Sequence, residues 1–371
     1  MSARLRIAIP IHSFEPGGVE RVALNLAAAW QAGGAEVRVL LGRSAGAMQD
    51  TAPRLDYIQR PEPVPTAAFE TLWMIWAARC WLRHNRVDVL FAAGNTYAIV
   101  GIALKLLLGA RCPPLVIKIS NDLARRDLPA PARWFYHVWL RVQGRWLDHF
   151  VGMAAPMRTE IAAALRVSDQ RVTIIEDPAL EAAQFAALAA IPRSSALPRA
   201  PRYVAVGRLT GQKNFPLLLR ALARLDDPAA QLVIVGEGGE RAKLERLAEQ
   251  LGIARRLSLP GHCDPLPHLA SASAFVLSSD YEGVPAVVIE ALAAGLPIAG
   301  TDCSVSMQAL TGHGAFARLV PVRDETALAG AMAQVLTMAF DPAAARASTQ
   351  PFTIEAAAAR YQALFAQVAG R

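Results

Sequence analysis

Tyr203-Val204-Ala205-Val206-Gly207-Arg208-Leu209-Thr210-Gly211-Gln212-Lys213-Asn214-Phe215 is the stretch on which the fold turns. A short apolar run, 203–206, passes through two glycines into a helical pattern at 215–225. The unit then repeats downstream. Strands at 232–235, 257–259, 274–277 and 297–300 alternate with helices at 241–251 and 286–294. Upstream the same alternation fills the first half, with strands at 5–10, 36–41, 87–92 and 115–119 and a helix at 20–31. The later strands of that half are unbroken apolar runs, as strands covered on both faces of a parallel sheet must be. Between the two series, residues 190–202 carry three prolines and little periodicity, which marks a linker. The expected architecture is α/β. Two successive βαβ domains, 1–190 and 200–352, precede an amphipathic terminal helix within 353–371. Ligand is expected between the domains, outside the carboxyl ends of the strands.

Composition narrows the function. The chain has 371 residues, 53% hydrophobic and 19% charged, so it can bury two cores and is not a disordered chain. The formal net charge is +7 and is unevenly spread. Residues 1–195 hold 22 basic and 16 acidic side chains, whereas 196–371 hold 16 and 15. The excess lies within 65–150, with 11 basic against 5 acidic residues and six of the seven tryptophans. Such a balance points to an acidic partner. Cys80, Cys112, Cys263 and Cys303 lie far apart, which suits a reducing compartment and offers no zinc framework. The N-terminus has no apolar signal region. The most apolar stretch, 97–110, is too short to span a bilayer and is interrupted by Lys105. A cytoplasmic protein, soluble or peripheral on a membrane, is expected.

Three motifs carry possible chemistry. Pro16-Gly17-Gly18-Val19-Glu20-Arg21 follows the first strand and opens a helix. Paired glycines allow close backbone approach, and a helix N-terminus suits a phosphate. The same residues read equally as a tight βα turn. Arg208 and Lys213, five residues apart on one loop, can grip a diphosphate, or stand as two solvated cations. Lysine occurs only at 105, 118, 213 and 243, which favours a role for Lys213. The third motif is Ser278-Ser279-Asp280-Tyr281-Glu282-Gly283-Val284-Pro285-Ala286-Val287-Val288-Ile289-Glu290-Ala291. Glu282 lies in a Gly/Pro loop, where it can hold sugar hydroxyls or favour the helix dipole. Gly283 and Val284 offer backbone N–H groups. Glu290 lies among aliphatic residues and must be paired or hydrogen-bonded there, to a ribose or in an ion pair.

Together these motifs resemble the retaining glycosyltransferases of family 4, which have the GT-B fold of two Rossmann-like domains facing across a cleft. The likeness runs from the Gly-Gly-Val-Glu loop to the terminal helix. It rests on the E-x7-E element, Glu282 to Glu290, and on G-R-L-x-x-x-K-N, Gly207 to Asn214. It implies that Arg208 and Lys213 bind the donor diphosphate, Glu290 the ribose and Glu282 the donor sugar. Gly17 and Gly18 would approach the phosphate. The diphosphate would be handled without a metal or other cofactor, and the last helix would cross back to the first domain. Ser120-Asn121-Asp122 stands where many relatives carry a His, so Asn121 or Asp122 takes that place. Asp177-Pro178 replaces the usual Asn-Pro, and 301–306 lacks the common Gly-Gly and Glu.

The resemblance implies a hexosyl- or N-acetylhexosaminyl-transferring enzyme that uses a nucleotide diphosphate sugar. Two segments, 73–83 and 133–141, interleave Trp with Arg at helical spacing, which suits ordinary packing or a bilayer interface with anionic headgroups. They favour a lipid-linked, lipopolysaccharide or exopolysaccharide acceptor at the cytoplasmic face of an inner membrane. No nucleic-acid module is recognised, and nucleic acid is not an expected partner. The alternative is a catalytically silent nucleotide-sugar-binding or membrane-scaffold protein of the same fold.

Overall fold

A computed structural model describes residues 4–15, 18–62, 64–119, 123, 125, 129–193 and 200–370. Asn121, Asp122 and Gly17 lie outside these residues. The chain begins β1 (Arg6–Ile11), α1 (Gly18–Ala32), β2 (Glu36–Leu41), β3 (Asp56–Gln59), α2 (Glu70–Leu82), β4 (Val89–Ala92) and α3 (Ala98–Leu108). It continues β5 (Leu115–Lys118), α4 (Ala130–Trp146), β6 (His149–Gly152), α5 (Met157–Leu165) and β7 (Val172–Ile174). Next come α6 (Ala182–Ala189), β8 (Arg202–Val206), α7 (Phe215–Ala223), β9 (Gln231–Val235), α8 (Arg241–Gln250), β10 (Leu257–Gly261) and α9 (Leu266–Ser271). The last elements are β11 (Ala274–Leu277), α10 (Ala286–Ala293), β12 (Ile298–Thr301), α11 (Met307–Leu310), β13 (Ala317–Val320), α12 (Glu325–Val335), α13 (Pro342–Thr349) and α14 (Ile354–Val368).

The strands form two wholly parallel sheets, ordered β3-β2-β1-β4-β5-β6-β7 and β10-β9-β8-β11-β12-β13. These are two Rossmann-like domains. The central strands β4, β5 and β11 are buried at every position, which is why their sequences are continuous apolar runs. Lys118 is the exception in β5. It is almost fully buried and forms an ion pair with Asp177, beyond the end of β7.

Two compact units result: Met1–Pro178 with Ile354–Arg371, and Ala179–Thr353. In the first, α1 and α14 lie together on the sheet. Trp30 of α1 meets Phe91, Tyr361 and Phe365 edge-on, at ring separations of 5.3, 5.7 and 5.1 Å. Its indole N–H donates to the Ala358 carbonyl at 3.1 Å. The helix after Thr353 therefore completes the core of the unit that begins the chain.

The division falls at Pro178, earlier than the 190–200 expected from sequence. The reason is visible in Arg193, which opens the proline-rich stretch. Its guanidinium donates to the carbonyls of Leu269, Ala272 and Ala294, at 2.8, 3.1 and 2.7 Å. It thereby satisfies the carboxyl ends of α9 and α10, as a cation there should. Burial pushes its pKa down to about 10. Helix α6 packs against α10, so residues from 179 onward belong to the second core. Residues 194–199 of the expected linker lie outside the described residues.

Four strands escape the sequence pattern. β3 and β13 are only partly buried edge strands with mixed composition, Asp56-Tyr57-Ile58-Gln59 and Ala317-Arg318-Leu319-Val320. β6 opens with His149 and β7 is three residues long. His149 is buried, with Nε2 2.8 Å from Thr173 Oγ1. Burial first, then Arg171 and Arg158, lowers its pKa from 6.5 to about 4.

Two outcomes follow from these contacts. Trp30→Ala should cost about 3–5 kcal/mol in denaturant unfolding, because it empties a fully buried site between two helices. Protonation of His149 is easier in the unfolded chain, so its contribution is complete above pH 6.5 and drains as pH falls toward about 4. The loss is on the order of 3 kcal/mol. His149→Gln should flatten the pH dependence of the urea midpoint over that window, and an unaltered profile would refute the assignment.

Candidate functional site

In the second unit the loops after β8, β9 and β11 converge at the carboxyl edge of the sheet. The first two are joined along their backbones. Gly207 N–H donates to Val235 O at 3.0 Å, Leu209 N–H to Glu237 O at 2.9 Å, and Glu240 N–H to Leu209 O at 3.1 Å. The approach is so close that a Cβ on Gly236 (φ +147°) would stand 2.0 Å from the Gly207 oxygen, and one on Gly238 2.4 Å from that of Leu209. No other residue fits at either position. The sequence reading passed over this Gly236-Glu237-Gly238-Gly239-Glu240 loop. Three glycines in five residues between a strand and a helix were the available signal.

Arg208 projects from the first loop. It is exposed, and its guanidinium has no hydrogen-bond or ion-pair partner among the described residues. Lys213 ends a short 3-10 turn, Gly211–Lys213. Asn214 follows in the left-handed region (φ 44°, ψ 46°), which asparagine tolerates. Its Oδ1 caps α7 by accepting from Leu217 N–H at 3.3 Å, and its Nδ2 donates to Asp280 Oδ1 at 2.8 Å. Two further bonds fasten this loop to the one after β11. Ser278 Oγ donates to Lys213 O at 2.8 Å, and Asp280 N–H to Gln212 O at 2.9 Å. Strands β8 and β11 are sheet neighbours, so the two motifs, some 70 residues apart, become one surface.

Lys213 and Glu282 meet directly. Nζ lies 2.6 Å from Oε1, and both side chains are largely buried. Ser279 Oγ donates to the same oxygen at 2.7 Å, and Glu282 N–H to Cys303 O at 3.1 Å. Asp280 is a second anchor. Burial pushes its pKa up, but donors from Arg323, at 3.0 and 2.7 Å, and from Asn214 outweigh this and hold it below the ordinary range. Neither Asp280 nor Arg323 was singled out from sequence, because a partner 43 residues away leaves no local mark. The Cys303 thiol is raised by burial to about 11, so it is a neutral group beside Glu282.

Gly283 and Val284 lead into α10. The Gly283 carbonyl accepts from Ser304 Oγ at 2.6 Å and Ser306 Oγ at 2.9 Å. The N–H groups of Gly283 and Val284 have no acceptor among the described residues. Glu290 is half-buried on α10 and accepts from Gln184 Nε2 of α6 at 3.4 Å. The arrangement presents one uncompensated guanidinium, one ammonium already held by a carboxylate, and free N–H groups at a helix start. Such donors suit a polyanion flanked by hydroxyl-bearing groups. Among the described residues no group of three or more His, Cys, Asp or Glu is placed to hold a metal ion.

In the first unit, Gly18 is the first residue of α1. At the carboxyl end of β1 stands a polar cluster outside the three motifs read from the sequence. His12 stacks on Tyr97 at 4.7 Å, and its Nε2 lies 3.3 Å from Thr71 Oγ1. The Tyr97 hydroxyl donates to Glu20 Oε1 at 2.9 Å. Burial lowers the His12 pKa, against the pull of Glu70 and Glu20.

Residues 190–350 match the model for glycosyl transferases group 1, and 16–178 that for glycosyltransferase family 4. A lipopolysaccharide core biosynthesis glycosyltransferase, LpsE, of Rhizobium meliloti is 34% identical over 138 residues, 37% of this chain and 40% of that protein. A Campylobacter jejuni N-acetylgalactosamine-N,N'-diacetylbacillosaminyl-diphospho-undecaprenol 4-alpha-N-acetylgalactosaminyltransferase is 35% identical over 126 residues, 34% of each. The chain spans between 26% and 40% of the first of these curated relatives. Among solved structures, Anabaena Alr3699/HepE in complex with UDP and glucose matches with a TM-score of 0.73 and 16% identity, over 98% of this chain and 100% of that one. The two family models together span most of the sequence and coincide with the two parallel-sheet domains, and the chain belongs to the family 4 glycosyltransferases of GT-B fold.

Proposed function

We propose that this protein moves a sugar, hexosyl or N-acetylhexosaminyl, from a nucleotide diphosphate sugar to a hydroxyl of a lipid-linked, lipopolysaccharide or exopolysaccharide acceptor, with retention at the anomeric carbon. The observation that carries the reading is the loop 207–214. Among the described residues it presents Arg208 without a partner, and it holds Lys213 2.6 Å from Glu282. Relatives named for lipopolysaccharide core and undecaprenol-linked glycans, and a structural neighbour holding UDP and glucose, support the acceptor and donor classes.

When the nucleotide diphosphate leaves, negative charge grows on its phosphate oxygens. A guanidinium fork and an ammonium fixed beforehand stabilise that charge without reorganising. Glu282 keeps Lys213 in place before the donor arrives. A diphosphate then competes for the ammonium and frees a carboxylate oxygen to accept from sugar hydroxyls. Gly283 and Val284 N–H groups face the same ligand, Glu290 takes the ribose, and Gly17 and Gly18 approach the phosphate. Asn121 or Asp122 stands in the place of the customary His. The protein's own cations carry the diphosphate, with no metal required.

Arg208→Ala and Lys213→Ala should each lower kcat by about 10²–10³ in a transfer assay, the usual cost of one preorganised donor to developing charge. Near-wild-type turnover in both would end the assignment. Glu290→Gln should weaken nucleotide binding more than kcat. Gly238→Ala should abolish donor-induced thermal stabilisation, since its methyl would displace the Leu209 backbone beside Arg208. A thermal-shift panel of UDP-, GDP-, ADP- and dTDP-sugars identifies the donor. The matching one stabilises by about 2.7 kcal/mol at a hundred times its Kd. A shift without turnover would favour the silent binding protein.

A further inference from the structure

Among the described residues, ten of the thirteen large apolar side chains that remain exposed lie between Val64 and Trp146. They are not scattered there. Helices α2, α3 and α4 lie side by side, α2 against α3 and α3 against α4. Each presents one outward stripe. Phe69, Leu72 and Trp76 are spaced along α2 and the turn before it, Ile99, Leu106 and Leu107 along α3, and Trp134, Phe135 and Trp146 along α4. The inward positions, such as Trp73, Met74, Ala77 and Ala78 on α2, are buried. A patch shared by three adjacent helices is larger than single exposed aliphatics explain.

The charge around this patch has one sign. Within 65–150 the described acidic residues are Glu70, Asp88 and Asp148, and each is already paired, with Arg43 at 3.0 Å, Arg6 at 2.9 Å and Lys105 at 2.5 Å. Arg83, Arg86, Arg111, Arg141 and Arg145 are exposed and have no carboxylate within ion-pair distance among the described residues. The three helices each precede a strand of one parallel sheet, so they run in the same direction and their carboxyl ends share an edge. Arg83 and Arg86 follow α2, Arg111 follows α3, and Arg145 is in the last turn of α4. One cation per helix end would satisfy the dipoles. Here a basic rim borders an apolar face. Arg60 already lies over the Trp76 ring, 5.0 Å from its centre, the pairing an interface favours. No helix among the described residues is long and apolar enough to cross a membrane, so the contact would lie in the interface plane.

We propose that the outer face of α2, α3 and α4 docks on an anionic phospholipid bilayer, with the aromatic and leucine stripes in the headgroup region and the arginine rim on lipid phosphates. This deepens the lipid-linked acceptor of the preceding section. Its test reads binding rather than transfer, so either can fail alone.

Flotation of the whole chain with phosphatidylcholine vesicles, with and without phosphatidylglycerol, tests it. The wild type should bind the anionic vesicles at least about tenfold better and lose them in high salt, where surface charges are screened. Each arginine near the surface is worth about fivefold, so Arg83→Glu/Arg86→Glu/Arg145→Glu should weaken binding about a hundredfold. Leu72→Ser/Trp76→Ser and, on a separate helix, Leu106→Ser/Leu107→Ser should weaken it about tenfold or more, with circular dichroism and donor-induced thermal shift preserved. Wild-type binding without dependence on phosphatidylglycerol, or variants that bind as the wild type does, would overturn the proposal. So would light scattering that shows a dimer dispersed by the same apolar substitutions, which would make a second copy of the chain the occupant.

Discussion

Parallel pairing imposes the plan of this molecule. A strand that must lie parallel to its neighbour has to return across the sheet, and a helix is the economical return. Both faces of each sheet are thereby covered, and the central strands must be apolar throughout. All the strand-to-helix loops also gather at one edge, where backbone N–H groups at helix starts remain available. The second unit uses this edge to bring 207–214, 236–240 and 278–284 together. In the first unit the same return path lays α2, α3 and α4 in one direction on one face. A docking patch and a ligand site thus follow from a single topological rule applied twice.

Legibility in the sequence tracks burial and chain distance. β4, β5, β8, β9 and β11 were readable because nearly every side chain is inside. β3 and β13 were not, since edge strands mix polar and apolar residues and a period cannot establish itself over four positions. The domain boundary was misplaced because a proline-rich composition suggests solvent, whereas Arg193 is held by carbonyls of two helix ends. At the site, Arg208, Lys213 and Glu282 lie on motifs whose local spacing is informative. Their contact follows only from β8 and β11 being neighbours. Asp280–Arg323 and the abutting glycines 207 and 236 are products of tertiary approach, and so are His12 and Tyr97. Gly17, Asn121 and Asp122 lie outside the described residues, so the sequence alone speaks for them.

The charge excess resolves into two different arrangements. In the second unit several cations are matched by carboxylates: Lys213 with Glu282, Arg323 with Asp280, Arg241 with Glu237 and Glu245, Arg224 with Glu325. Among the described residues Arg208 has no partner, and it alone of the exposed, unpaired arginines there lies in the loop that carries Lys213. Within 65–150 of the first unit the described acidic residues are consumed by pairing, and arginines remain over along one rim. Net charge alone could not distinguish a single strong cation aimed at a ligand from a diffuse field aimed at a surface.

The position of α14 in the first core has a consequence for biosynthesis. Trp30 and the Ala358 carbonyl that receives its N–H are 328 residues apart in the chain, with the whole second domain between them. At roughly 5–20 residues per second, a ribosome delivers α14 about 15–65 s after Trp30 emerges. During that interval the aromatic face of α1 and the flank of Phe91 have no cover, although the strands behind them can already pair. The second domain, which needs nothing from either terminus for its own core, can fold first as an insertion. Until α14 is made the nascent first domain is half-closed, a species for holdase chaperones to guard.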